Sequence, residues 1–157
     1  MRTLFIASLL SFAAAASAAS FHEVQKAVTD DNMLASAGIE VSQAALRLPC
    51  SASVFDGDEG THTFNCVYVQ TDHALNLFSL EDGALMPELQ LTLSNMDGVA
   101  LAHLGRYSQV QVFSGDRVAA LYIHDKDWID DKQTQAVYQW LLEHGVRPHE
   151  PRPWLGR

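Results

Sequence analysis

From residue 60 onward, apolar and polar positions alternate with a period of two, and turn residues interrupt the alternation at regular intervals. Residues 50–55 (Cys-Ser-Ala-Ser-Val-Phe) and 61–66 (Thr-His-Thr-Phe-Asn-Cys) predict a first hairpin around Asp56-Gly57-Asp58-Glu59-Gly60. Folding the chain symmetrically about Asp58 sets Cys50 opposite Cys66, Ala52 opposite Phe64 and Val54 opposite His62. Phe64 to Gln70 and Ala74 to Leu80 predict the next pair of strands, joined by Thr71-Asp72-His73. On that loop, one face holds Phe64, Cys66, Tyr68, Phe78 and Leu80, and the other holds Val67, Val69, Leu75 and Leu77. Both faces are apolar, so both should be covered.

Glu81-Asp82-Gly83 predicts a turn. Leu89, Leu91 and Leu93 then alternate with polar residues, and Asn95-Met96-Asp97-Gly98 carries the Asp-Gly signal of a hairpin. That hairpin would place Ala100, Ala102 and Leu104 on the face of the three leucines. Ser114-Gly115-Asp116-Arg117 suits a type II′ turn, after which Val110 and Val112 share a face with Ala119, Leu121 and Ile123, while Gln109 and Gln111 look the other way. A helix follows, with Asp130 as N-cap and Gln133 three residues on, an apolar stripe at Ala136, Val137, Trp140 and Leu141, His144 in the last turn, and Gly145 as terminator. Residues 21–37 read as a further helix with Phe21, Val24 and Val28 on one side, and residues 38–48 fit either strand or helix.

The predicted fold is α+β: an antiparallel meander of six or seven strands, a curled sheet or partly open barrel, with an N-terminal and a C-terminal helix packed on it. This order of elements is similar to that of pleckstrin-homology-like barrels. The similarity lies in element order alone and implies nothing about function.

The first residues read as a secretory leader: Arg2, a short apolar core at Leu4, Phe5, Ile6, Leu9, Leu10 and Phe12, then small residues from Ala13 to Ala19. Ala16-Ser17-Ala18 and Ser17-Ala18-Ala19 both fit the small-x-small rule, so cleavage is expected after Ala18 or Ala19. The core is too short for the roughly 20 apolar residues of a membrane span, and no cysteine for lipid attachment lies nearby. The expected organisation is a leader at 1–19, one domain at 20–147, and a proline-rich tail at 148–157, working in the periplasm or outside the cell.

Without Arg2 the chain carries nine basic against nineteen acidic side chains, a net charge of −10. Such a field repels nucleic acid phosphates and anionic headgroups, so a partner chosen by charge is cationic: a basic protein, a basic peptide or a metal ion, with the basic protein or peptide expected. Cys50 and Cys66 are the only cysteines, and in an exported chain opposed placement predicts a disulfide. A Cys-x-x-Cys redox pair and a four-ligand zinc set are both absent.

No Gly-x-Ser-x-Gly elbow, His-Glu-x-x-His or phosphate-binding glycine loop occurs. No catalytic residue, metal ligand or cofactor is therefore assigned. Asp56, Asp58 and Glu59 are the expected binding residues, three carboxylates on a disulfide-clamped hairpin. The loop begins like a calcium loop, but Thr61 stands where glycine is needed and Val67 where the closing Glu belongs. The expected function is a non-enzymatic exported binding protein, of inhibitor or immunity type, that engages a basic partner. Two alternatives remain. One is an envelope hydrolase assembled in space from His103, His124, Asp125 or Asp127. The other is a periplasmic metal-binding protein, for which Ser20-Phe21-His22 after cleavage at Ala19 is a Cu²⁺-chelating sequence. Finally, the tail (Arg147, Arg152 and Arg157 with three prolines) is basic and extended, and should fold back on the acidic body and seat Trp154 in an apolar groove.

Overall fold

In the computed structural model, which describes residues 18–57 and 60–152, Ser20 opens the first helix, α1 (Phe21–Val28). Its hydroxyl receives the Glu23 amide, and the Glu23 carboxylate takes the Ser20 amide in return. Asp30 caps α2 (Asp31–Ser36) by accepting from the amides of Asn32 and Met33. The expected single helix over 21–37 is therefore two. The break comes where the Asp30 side chain takes over backbone donors that a continuous helix would use. Residues 41–43 form one 3₁₀ turn, and the strand begins at Leu46.

The sheet consists of β1 (Leu46–Asp56), β2 (Gly60–Gln70), β3 (Ala74–Glu81), β4 (Ala84–Thr92), β5 (Gly98–Leu104), β6 (Tyr107–Ser114), β7 (Arg117–Asp125) and the two-residue β8 (Trp128–Ile129). Helix α3 (Asp131–Glu143) follows. Every pairing is antiparallel, in the order β4-β3-β2-β1-β7-β6-β5, with β8 on β7. The curled sheet is not closed, since β4 and β5 are its two ends. This is the expected α+β architecture, helices before and after an antiparallel meander.

The first hairpin has the register read from the sequence: Cys50 opposes Cys66, Ala52 opposes Phe64 and Val54 opposes His62. Cys50 and Cys66 are joined as a disulfide with Cα atoms 4.8 Å apart. The β6–β7 turn also agrees: of its central residues only Gly115 has positive φ (57°), as type II′ requires.

Two expectations are corrected. The Thr71 amide donates to the Ala74 carbonyl across the β2–β3 loop, and Gln70 pairs with Leu75 instead of Ala74. One residue of register exchanges the faces of a strand. Leu75 and Leu77 accordingly join Cys66 and Tyr68 in the core under the curl, while Phe78 and Leu80 join Val67 and Val69 beneath α1 and α2. Covering both faces made this slip invisible in the hydrophobic pattern. The second correction concerns Asn95 to Gly98, which forms no hairpin. A 3₁₀ turn at Leu93–Asn95 carries the chain from one end of the sheet to the other, and Val99 and Leu101, not Ala100 and Ala102, face the main core with Leu89 and Leu91.

Asp130 accepts from the Gln133 amide, and α3 packs Val137 and Leu141 into the main core. His144 Nδ1 lies 2.8 Å from the Trp140 carbonyl, and Gly145 ends the helix at φ 89°. The tail then lies along the edge of β5. The Val99 amide donates to the Arg147 carbonyl and the His149 amide to the Val99 carbonyl, each at 2.8 Å. His149 stacks on Phe113 with ring centroids 3.9 Å apart, and Gln111, fully buried, exchanges two hydrogen bonds with the Arg152 backbone. Gln111 is thus covered by the tail rather than by water, and its side-chain nitrogen also donates to Gln109 Oε1. Residues 1–17, on which most of the expected leader falls, and Asp58, Glu59 and Trp154 lie outside the described residues. No helix among the described residues is long and apolar enough to cross a membrane.

Candidate functional site

Asp56 ends β1 and faces Arg117, the first residue of β7. The guanidinium grips both carboxylate oxygens, Nε to Oδ1 and a terminal nitrogen to Oδ2, each at 2.9 Å. Hydrogen bonding from Arg117 holds the Asp56 carboxyl below its ordinary range. Of the three expected binding carboxylates, Asp56 is therefore engaged with the body and fixes the root of the acidic loop.

Beside that root the sheet opens. β2 and β3 pair only between Val67/Phe78 and Gln70/Leu75. Beyond Val67, β2 continues with β1 alone, and beyond Phe78, β3 continues with β4 alone. A bulge accompanies the parting: Leu77 opposes Leu89 and Phe78 opposes Pro87, which leaves Glu88 as the extra residue. The resulting slit holds about 300 Å³ and is lined by Ala18, Ala19, Phe64, Asn65, Ser79, Leu80 and Glu81, with His62 and Glu88 at one end. His62 and Glu88 also line an adjoining hollow of about 340 Å³ that reaches Asp56 and Gly60. His62 Nε2 is 3.4 Å from Glu88 Oε2, and its ring lies over Phe64 at 5.0 Å. Asn65 Nδ2 donates to the Ala19 carbonyl. Ser79 is only 7% exposed, yet its hydroxyl has no hydrogen-bond partner among the described residues.

The histidines proposed for an assembled hydrolytic site divide between two serines. His103 Nδ1 meets Ser108 Oγ at 3.2 Å, and the Ser108 amide donates to Asp131. Burial alone would raise the Asp131 carboxyl, but hydrogen bonds from Ser108 and Gln135 outweigh it and hold the group low. His124 Nε2 lies 2.8 Å from Ser51 Oγ, under the ring of Phe21 from α1 with centroids 4.2 Å apart. Burial pushes His124 below its ordinary value. A neutral imidazole has one donor and one acceptor nitrogen, and Nδ1 of His124 has no partner among the described residues. No carboxylate therefore orients the ring, and Asp125 is exposed at the β7–β8 turn.

Metal-ligating geometry is likewise missing: among the described residues no three His, Cys, Asp or Glu side chains are grouped to hold an ion. The Ser20-Phe21-His22 amides form the first turn of α1, so square-planar chelation would unwind that turn.

Sequence reasoning found the hairpin and its clamp but not the slit. Its lining residues carry no motif, and the bulge that frees Glu88 is set by register rather than residue type. Pro87 was the available signal, since proline within a strand marks an edge or bulge.

No family model matches the chain, and no curated protein does. Among solved structures, the chain is similar to a Vav1 chain determined with an allosteric inhibitor, with a TM-score of 0.51 and 8% identity over 78% of this chain and 33% of that one. It is also similar to the pleckstrin homology domain of USP37, with a TM-score of 0.44 and 14% identity over 64% of this chain and 96% of that one. At such identities the likeness is one of fold alone.

Proposed function

We propose that the chain is an exported, non-enzymatic binding protein that engages a basic protein partner, in the manner of an inhibitor or immunity protein. The observation that carries this reading is the placement of the acidic hairpin. The Cys50–Cys66 bridge stiffens β1 and β2, Arg117 anchors Asp56 at the loop's root, and Glu88 and Glu81 extend the acidic surface along the adjoining slit. A rigid scaffold presenting a loop of one charge is suited to steering an oppositely charged partner. Export is supported by the leader composition and by a disulfide in a chain with no spanning helix among its described residues.

The test is affinity capture from envelope and culture fluid, with the partner identified by mass and its association rate then measured. Added salt, and the joint neutralisation D56N/D58N/E59Q, should each slow association, because exposed charges are screened over about 8 Å at physiological ionic strength. A partner whose association rate ignores both would remove the acidic loop from the reading.

A second reading, an envelope hydrolase, rests on the Ser51–His124 contact. Labelling of Ser51 by a fluorophosphonate, abolished in H124A, supports it; an unlabelled Ser51 in native protein removes it.

A further inference from the structure

We propose that the outer face of β5, β6, β7 and β1 seats an arginine side chain of the basic partner on Phe113, in the place that Arg152 of the chain's own tail now holds. The inference rests on the reading of the partner as basic and names the apolar floor on which that partner anchors.

Cross-strand register lays Gly98, Phe113, Val118, Phe55 and Thr61 in one row across this face. Ala100 and Ala120 join Phe113 and Val118 in an apolar cluster of their own, with Phe55 packed against it. Neighbouring strands lie about 4.8 Å apart, so Phe55, two strands from Phe113, is about 10 Å away across the sheet. Phe55 leads directly into Asp56, whose pairing with Arg117 fixes the root of the acidic hairpin. The apolar floor and the acidic loop are therefore neighbours on one surface, an apolar centre beside a charged margin, as in a protein interface.

What lies on this floor is basic. His149 stacks on Phe113, and the Arg152 guanidinium carbon stands 5.3 Å from the centroid of the same ring, a cation–π contact. Gln111, two residues along β6 on the same face and fully buried, accepts from the Arg152 amide at 2.7 Å and donates to its carbonyl at 2.8 Å. Those two bonds read main chain alone, so an arginine from any chain can present the same groups. The ring then selects the flat, weakly hydrated guanidinium over an ammonium. Residues 147–152 all remain exposed, whereas Phe113 beneath them is 5% exposed. The tail is thus a shallow strap, and a partner steered in by the acidic loop meets the same ring and the same amide clamp once the strap lifts.

The experiment titrates the ¹⁵N-labelled full-length mature protein, and a form ended at Glu150, with N-acetyl-arginine methylamide, its lysine counterpart and the neutral norleucine one. Ending the chain at Glu150 removes Arg152 but keeps the bond from the His149 amide to the Val99 carbonyl. With the arginine probe, saturable amide shifts at Gln111, Phe113 and Val118 are expected in the shortened form. The full chain should bind that probe at least tenfold more weakly, because its tethered Arg152 competes at a high effective concentration. R152A in the full chain, which leaves the tail in place, should also gain affinity for the arginine probe. F113L in the shortened form should lose affinity about fivefold. Lysine binding as tightly as arginine overturns the arginine assignment. Equal shifts with norleucine, or no saturable shifts at the three amides in either the shortened form or R152A, overturn the proposal. The two readings fail separately. A captured basic partner should bind the shortened form more tightly than the full chain, and F113L more weakly. If it ignores both changes but responds to D56N/D58N/E59Q, the partner reading stands and this anchor falls. If the arginine probe seats on Phe113 while captured partners are not basic, the anchor stands and the partner reading falls.

Discussion

Gly98 leaves vacant the space that His149 needs: a Cβ at residue 98 would stand 3.0 Å from His149 Cβ and 3.3 Å from the Arg147 carbonyl oxygen. The glycine read in the sequence as a turn residue is therefore the seat of the tail. G98A should push Arg147 and His149 off the edge of β5, destabilising the protein by about 1–3 kcal/mol as overpacking does. Hydrogen exchange locates the effect. The amides of Val99 and His149 should lose protection first, with those of β1 and β2 unaffected. Unchanged exchange at Val99 would show that the tail gives way without cost.

The Cys50–Cys66 bridge closes a loop of 16 residues' separation within an otherwise intact hairpin. Replacing both cysteines by serine should lower stability by about 3 kcal/mol, through greater freedom of the unfolded chain. The fold should persist, because β1 also pairs with β7 from Cys50 to Asp56. Denaturant unfolding with and without reductant measures the difference. The wild type should fall to the level of the double variant on reduction.

Helix α3 is clipped to β7 in both directions. The Asp130 amide donates to the Ile123 carbonyl at 2.9 Å, and the Ile123 amide donates to Thr134 Oγ1 at 3.0 Å. Thr134 is fully buried and its hydroxyl donates in turn to the Asp130 carbonyl. T134V keeps the shape but leaves the Ile123 amide without an acceptor, which should cost about 1–3 kcal/mol, while T134S should restore most of it. Thermal unfolding of the two variants checks the order.

Local chemistry made much of this fold legible. The Asp130 cap, the Gly115 turn and the opposed cysteines each follow from residue types within a few positions of one another. What the sequence withheld was long-range or degenerate. With apolar residues on both faces of β2 and β3, the pattern could not choose between pairing Gln70 with Ala74 or with Leu75. Asp97-Gly98 has the composition of a hairpin turn, but the close approach of His149, 51 positions on, governs that glycine. Thr134 likewise sits on the buried face of α3 for its hydroxyl, which no apolar stripe reveals. The slit was least legible, since it exists where two strands stop pairing and only their partners decide where that is.

His124 gives the pH dependence a definite sign. Burial depresses its folded-state value below the ordinary 6.5, so between those two values the unfolded chain binds more protons than the native one. Stability from keeping the ring neutral is fully present above pH 6.5 and is lost as the pH falls through that window. The ring's direct contacts include the Ser51 hydroxyl and the Phe21 ring, neither of which compensates a positive charge as a carboxylate would, while Asp125, Asp130, Lys126 and Arg47 line the open hollow beside it. Acidification from pH 7 to 5 should therefore loosen α1 first, since Phe21 covers the imidazole. The carboxylates of Glu23, Asp56 and Asp131 are all held low and lose their contributions only below their ordinary values of 3.8–4.5, so the two effects occupy separate ranges. Unfolding free energies of the wild type and of H124F, measured across pH 4.5 to 8, isolate the histidine. The wild type should gain stability with rising pH up to 6.5 and then level off, whereas H124F should be flat over the same interval. A wild-type curve parallel to that of H124F would mean that protonated His124 is accommodated without disturbing the helix.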